Sequence, residues 1–585
     1  MAGTELGQIS SADLGSTGAE ATLVEVLRAR AERDPQGEAF AFLDWSGEEV
    51  AALSFGELDR RARELAGALQ ALAEPGDRAL LAYTPGIECV VAIYACVYAG
   101  LIVVPAPPPD PAREHAGPRI RLVAEDCEAR LALTATDMGP GLEEVLAEAS
   151  SRRPRVLVTD APELDRSAEW ADPGTVTNDI ALLQYTSGST GSPRGVMVSH
   201  QNLIHNCELV AATFAGLEAK RGVMWLPPYH DMGVIGGILA PVHGGFPVAL
   251  MSPISFMLSP ISWLRAVSRF RATLSAGPDF AYDMCVRRTE PGDRQGLDLS
   301  SWQVAFNGAE VVRRETIDAF SDAFAVHGFR REAFYPCFGL AEATLMVTGG
   351  DPRTAPTVRV ADRSALEAGT LEPADPGGDA VAMVGCGAPG PDTEVVVVDP
   401  ETIEALPDGS VGEIWVRGDG VAGGYWGREE ETRLTFEARL PGRGDQHFLR
   451  TGDLGLVADG ELYVNGRIKD VLVIDGRVHY PTDVERIAEG AAPALRHNSG
   501  VAFTYEHEGE NRLGLVYEAN ETDDDQAVLS AVREHVASEL GLELGAIALL
   551  APRTIPRTTS GKLKRIPCRA QYLNGQLEPR AEWRR

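Results

Sequence analysis

The chain has 585 residues, enough for more than one domain, and its 44% hydrophobic and 24% charged residues are the balance of a folded, water-soluble protein. A formal net charge of −32 argues against nucleic acid as a partner, and no apolar run reaches the roughly 18–20 residues of a membrane span. The N-terminal residues show no secretory leader, and the eight cysteines are scattered without a CxxC pair, so reduced thiols in a cytoplasmic, zinc-free protein are expected.

Residues 1–20 read as disordered. "LSFGELDRRARELAGALQALAE" places Leu58, Leu65, Leu69 and Leu72 on one helical face. "RALLAYTPG" reads as a buried strand ending in a turn, "ECVVAIYACVYAG" as a buried helix closed by Gly100, and "LIVVPAPPPDP" as a strand broken by prolines. The helix–strand alternation continues to about residue 340 and predicts an α/β body with largely parallel sheets. Residues 348–379 are rich in Pro, Asp, Ala and Gly and read as an inserted loop region. "TEVVVVDPETIEALPDGSVGEIWVRGDG" and "GELYVNG" then predict short antiparallel strands of a small barrel-like unit. A second α+β unit starts near Ile468–Asp470, with a strand in "NRLGLVYEA" and a helix in "DDQAVLSAVREHVASEL". The expected boundaries are 21–468 for the large domain and 469–585 for the small one.

"LLQYTSGSTGSPRG" (182–195) lies between two predicted strands, "IALLQYT" and "GVMVSH", and Ser199 is placed to cap the helix that follows. Small residues let backbone N–H groups approach an anion, hydroxyls add donors, and Arg194 supplies charge. There is no GxxxxGK[ST], so this is a phosphate loop of another kind or a Gly/Ser surface turn.

"YTSGSTGSPRGVMVSHQNL" resembles the signature loop of the adenylate-forming enzymes: acyl-CoA synthetases, peptide-synthetase adenylation domains and luciferases. Further matches follow in order: "FNGAEVVRRET", "FYPCFGLAEATL", "RTGDLG", "GRIKD" and "PRTTSGKLKR". "MWLPPYHDMGVIGGILAPVHGGFPVALMSP", "AGPDFAYDMC", "DGRVHYPTDVE" and the 348–379 insertion resemble the fatty acyl-AMP ligases in particular. The resemblance implies an α/β fold: a large adenylate-forming domain of two helix-flanked sheets plus a small β-barrel, with a mobile α+β C-terminal domain. It also implies activation of a fatty acid by ATP and Mg²⁺, then transfer to the phosphopantetheine thiol of an acyl carrier protein acting in trans. Lipopeptide, polyketide or complex-lipid assembly is the usual setting. An acyl-CoA synthetase and a non-catalytic nucleotide- or acyl-binding homologue are the alternatives.

The same resemblance distributes roles. Thr186, Ser187, Gly188, Ser189, Thr190, Gly191 and Arg194 would hold ATP phosphates, with Arg where the family usually has Lys. Glu342 would ligate magnesium, Gly308, Ala309 and Glu310 would line the adenine pocket, and Phe338 beside Gly339 would stack on the base. Asp453 and Arg467 would serve the ribose, each with a structural role (turn Asp, ion pair) as the alternative. Lys562 would be the main catalytic cation, and Lys469 and Asp470 the hinge. His230 and Asp231 would close the strand "VMWLPPY" beside the reacting carboxylate, with Met232, Ile235, Gly236 and Gly237 in an acyl pocket or an ordinary core. Nine Lys/Arg against two Glu in 551–585 suggest a basic face, including Arg580, Arg584 and Arg585, for an acidic carrier.

Overall fold

A computed structural model describes residues 21–109, 116–149, 153–162, 164–165, 168–187, 193–214, 216–217, 220–375, 379–474, 477–507, 510–558 and 561–585. Two sheets form the body. The first has six strands in the order Arg155–Val158, Leu131–Thr134, Arg78–Ala82, Ile102–Ala106, Ile180–Ser187 and Pro193–Ser199. Its first five strands run parallel, and the last turns back antiparallel on its neighbour. The second has nine strands, parallel from Phe334–Gly339 across to Glu38–Leu43, with antiparallel strands at both edges.

The helix Ile87–Tyr98 lies between these sheets, and all its residues except Glu88 are buried. A helix apolar on every side needs such a place, because it has no face to offer water. The amphipathic helix Phe55–Gln70 covers it, with Leu58, Leu65 and Leu69 inward, and Ser54 caps its first turn. Ser199 caps His200–Ala212 in a reciprocal capping box with Asn202, as its position after a strand predicts.

The small all-β unit is a four-stranded antiparallel sheet: Thr393–Val398, Gly412–Gly418, Leu449–Ala458 and Glu461–Arg467. The insertion is more ordered than a loop. Val358–Asp362 pairs antiparallel with Ala380–Val384, and Asp362 caps the short helix Arg363–Glu367. Its composition hides this, because alternating Val and Ala in so short a strand give little periodicity. The predicted strand "VMWLPPY" is also shorter, Gly222–Met224, since Pro227 and Pro228 have no N–H to offer a ladder.

After the single 3₁₀ turn Ile468–Asp470 the chain forms a separate layer. Its four-stranded sheet, Leu495–His507, Glu510–Ala519, Leu544–Leu550 and Ala581–Arg584, is flanked by Pro481–Gly490, Asp525–Leu540 and Arg565–Leu573. Leu472, Val484, Leu515, Val532 and Leu549 belong to an apolar core distinct from that of the body. Among the described residues no helix is long and apolar enough to cross a membrane.

Candidate active site

A cleft of about 3340 Å³ opens between the body and the C-terminal unit, and most of the expected site residues line it. The strands Ile180–Ser187 and Pro193–Ser199 form a hairpin that sets Thr186 opposite Arg194. The intervening Gly188, Ser189, Thr190 and Gly191, and the Ser187 side chain, lie outside the described residues. Arg194 Nε is 2.8 Å from Glu431, and its guanidinium sits 5.4 Å from the Tyr425 ring centre. The Tyr425 hydroxyl donates to Glu342 Oε1 at 2.8 Å. Backbone bonds Met197–Gly424 and Trp426–Gly195 hold this segment against the hairpin, so Tyr425 links Arg194 to Glu342, the candidate metal ligand. Sequence reading missed Tyr425; the flanking "GGYW" was the available signal.

Glu342 sits in the 3₁₀ turn Ala341–Ala343, directly after the strand bearing Phe338. A Cβ at Gly339 would overlap the Leu345 carbonyl oxygen, which folds back over it, so only glycine permits the turn. Thr344 closes the turn at φ +67°, its hydroxyl donating to the Gly420 carbonyl at 2.7 Å. Phe338 is 7% exposed and lines the cleft.

The strand Val304–Asn307 ends in Gly308, where a Cβ would meet the Cys337 carbonyl oxygen at 2.8 Å, and in Ala309 at φ +68°. Ala309 and Glu310 line the cleft. Beneath them Asp279, fully buried, accepts from Asn307, the Arg313 backbone and guanidinium, and Thr316 at 2.7–3.2 Å. A buried carboxylate met by this many donors is stable, and it fixes the turn. Glu310 Oε1 accepts the Phe280 N–H at 2.8 Å, and burial with nearby Asp279 raises its pKa.

Asp453 and Arg467 face each other on adjacent strands, with Arg467 Nε donating at 2.9 Å. Asp453 lies within a strand, not a turn. Burial raises its pKa against the pull of Arg467, Lys562 and Lys469.

His230 follows a turn and Asp231 begins the helical segment after it, so neither lies at a strand end. Asp231 Oδ1 is 2.5 Å from His230 Nδ1 and accepts the Met232 N–H at 2.7 Å, capping a π-helix, Met232–Leu239. Burial opposes ionisation of Asp231, but His230 and then Lys562 draw its pKa below the ordinary value. Met232 and Gly236 line the cleft, whereas Ile235 is buried in the body core and Gly237 closes on Met224.

Lys562 enters from the C-terminal unit on a loop closed by Thr558 N–H to Lys562 O at 2.7 Å and Lys562 N–H to Thr558 Oγ1 at 3.0 Å. Burial lowers the pKa of its ammonium, while Glu310, Asp231 and Asp453 raise it. A cation from one unit is thus met by carboxylates of the other. Lys469 and Asp470 line the same cleft at the junction; burial, then Arg467, lowers the Lys469 pKa.

The expected basic face is largely neutralised. Arg580 pairs with Asp525 at 2.7 Å, Arg584 with Glu582 at 2.6 Å, and Arg585 with Glu543. Folding brings Asp525 and Glu543, distant in sequence, beside Arg580 and Arg585, whereas Glu582 lies two residues from Arg584.

A family model described as AMP-binding enzyme matches residues 27–426. The chain is 41% identical to a medium-chain-fatty-acid–acyl-carrier-protein ligase of Moorena producens, covering 95% of this chain and 96% of the relative. It is 35% identical to a long-chain-fatty-acid–AMP ligase of Mycolicibacterium smegmatis, covering 92% of each. Among solved structures, a fatty acyl-adenylate ligase of L. pneumophila in complex with acyl adenylate and pyrophosphate is similar, with TM-score 0.74 and 38% identity over 96% of this chain and 98% of that one.

Proposed function

Because this chain belongs to the AMP-binding enzymes, and among them to the fatty acyl-AMP ligases, we propose that its cleft joins a medium- or long-chain fatty acid to AMP and hands the acyl group to an acyl carrier protein. A fatty carboxylate is a weak electrophile. One of its oxygens attacks the α-phosphorus of ATP, the bond to the bridging oxygen breaks, and pyrophosphate leaves with that electron pair. The carrier's phosphopantetheine thiol then attacks the acyl carbon, loses its proton, and expels AMP.

The observation that carries this reading is Lys562, inserted from the small unit among Asp231, Glu310 and Asp453. Its ammonium orients the carboxylate and offsets the charge growing on the α-phosphoryl oxygens, a preorganised electrostatic stabilisation. The free oxygen of the Asp453 carboxylate accepts from the ribose while Arg467 holds the other. Phe338 offers a face to adenine, and Arg194 faces the phosphates once they displace Glu431.

Glu342 fits a magnesium site: an oxygen ligand on the cleft wall, one oxygen held by Tyr425, with the remaining positions left for phosphate oxygens and water. Bound there, the ion would supply charge neutralisation on the departing pyrophosphate. Among the described residues no group of three or more His, Cys, Asp or Glu is arranged to hold a metal ion by itself, as suits an ion held mainly by its substrate. The eight unbridged cysteines, seven of them buried, fit a reducing cytoplasm.

Mass spectrometry of products from ATP, Mg²⁺ and a fatty-acid panel, alone, with coenzyme A, and with a holo carrier protein, tests the proposal. Acyl-AMP that persists with coenzyme A and disappears into acylated carrier is expected. Efficient acyl-CoA formation would assign the second step to coenzyme A instead, and no pyrophosphate release with any acid would overturn the reading entirely.

A further inference from the structure

The seam between the body and the C-terminal unit, the lid of the cleft, carries an arrangement that the chemistry above does not use. The lid strand Leu495–His507 starts irregularly: its pairing with Glu510–Ala519 jumps from Leu495 to Gly500, and Asn498 takes φ +48°. Such a bulge re-aims side chains, and here it turns His497 toward the body. The two ring nitrogens meet carboxylates from opposite sides of the seam. Nε2 lies 2.6 Å from Asp283 on the body helix Asp279–Arg287, and Nδ1 contacts Glu489 on the lid helix Pro481–Gly490.

Glu489 is fixed as an acceptor. Its second oxygen takes the Asn498 N–H at 2.9 Å and the Tyr517 hydroxyl at 3.0 Å. Arg287, one turn from Asp283, stands 3.7 Å from Glu489. Charges therefore alternate across the seam, Asp283 and Arg287 on one side, His497 and Glu489 on the other. Tyr517 and Arg557 complete the surroundings, the latter bonded to the Asn498 carbonyl at 2.8 Å. A neutral imidazole carries no charge for a second carboxylate; the imidazolium hydrogen-bonds Glu489 through Nδ1 and attracts Asp283, 2.6 Å from Nε2, as an ion pair.

The geometry points to His497 as an interdomain positioning residue of the adenylation half-reaction, its protonated ring clasping Asp283 to Glu489 and so holding Lys562 in the cleft. This rests on the adenylation reading above. Burial opposes the charge, but Asp283 and then Glu489 raise the pKa above 6.5. The clasp is therefore complete below the ordinary histidine value and is lost as pH rises through the raised one, when a lone pair faces the Asp283 carboxylate. Deprotonation loosens the lid without touching any group that contacts substrate.

The test follows lid position by the distance between one spin label on the body and one on the lid, from about pH 6 to about pH 9. It is read alongside adenylate formation and alongside transfer from preformed acyl adenylate. In the natural chain the closed population falls with rising pH. His497→Gln and Asp283→Asn should each flatten that dependence and lower adenylation near neutral pH by about tenfold, as for one lost contact to a charged group. Combining them should add little, and transfer from preformed adenylate should hold. Lys562→Ala separates lid position from catalysis: its adenylation falls, yet its lid keeps the pH response. Thermal midpoints check folding, and the two clasp variants lie on different units, so one unfolding does not remove the test. Persistence of the natural pH response in both variants would overturn the assignment. Absence of pyrophosphate release from the natural chain would instead sink the functional reading on which it rests.

Discussion

At the scale of single residues, Lys562 should matter most. Lys562→Ala is expected to slow adenylate formation by about 10²–10³, the usual loss of a preorganised cation at developing charge, with little change in melting temperature. Because burial lowers its pKa, adenylation in the natural chain should decline at an alkaline pH below the ordinary lysine value, as the ammonium loses its proton. A stopped-flow pyrophosphate assay against pH reads this directly. Tyr425→Phe keeps the ring under Arg194 but removes the hydroxyl from Glu342. The magnesium concentration for half-maximal rate should rise about three- to tenfold, as for one lost hydrogen bond of ordinary net strength. That Lys562, Asp453 and Glu342 line one cleft was legible because each sits in a short, recognisable motif. Tyr425 was not, since its partner lies 83 residues away and only folding brings them together. The same holds for Asp279, whose donors on Asn307, Arg313 and Thr316 come from later elements.

At the scale of elements, long periodic segments were plain in the sequence. Phe55–Gln70 and His200–Ala212 form where apolar spacing and a Ser cap place them. The π-helix Met232–Leu239 was hidden, because "MGVIGGIL" is apolar all round and carries no period to betray its wider turn. That wider turn sets Met232 and Gly236 together on the cleft wall. A Cβ at Gly236 would meet only Leu345 Cδ2 at an ordinary 3.7 Å, so larger side chains there grow into the cleft. Gly236→Leu should fold normally and shift acid preference toward shorter chains, measured by competition within a mixed fatty-acid panel. Gly233 is different: a Cβ would overlap the Pro227 carbonyl oxygen, so Gly233→Ala should displace the His230–Asp231 turn and lower activity with every acid.

At the scale of the molecule, histidine burial sets acid tolerance. His200 and His243 are 3% and 5% exposed, and burial lowers the pKa of each to about 4. The unfolded chain protonates both near pH 6.5 while the folded body holds them neutral, so stability is lost as pH falls between those values, by up to about 3 kcal/mol per histidine. Urea titrations at pH 7 and near pH 4.5 should show it, and His200→Gln should reduce the difference, since Gln can still accept the Leu23 N–H. The two separate cores, joined by one passage of chain at Ile468–Asp470, carry a consequence for recombination. A crossover there splits neither core, so lids can be exchanged between relatives as cassettes and still fold. What an exchange must inherit together is the matched charge along the seam: Asp283 with His497, Arg287 with Glu489, Arg363 with Asp483, and Glu367 with His479. A chimera that breaks these pairs would keep two sound domains and lose their concerted work, so selection on such hybrids would act first on the seam.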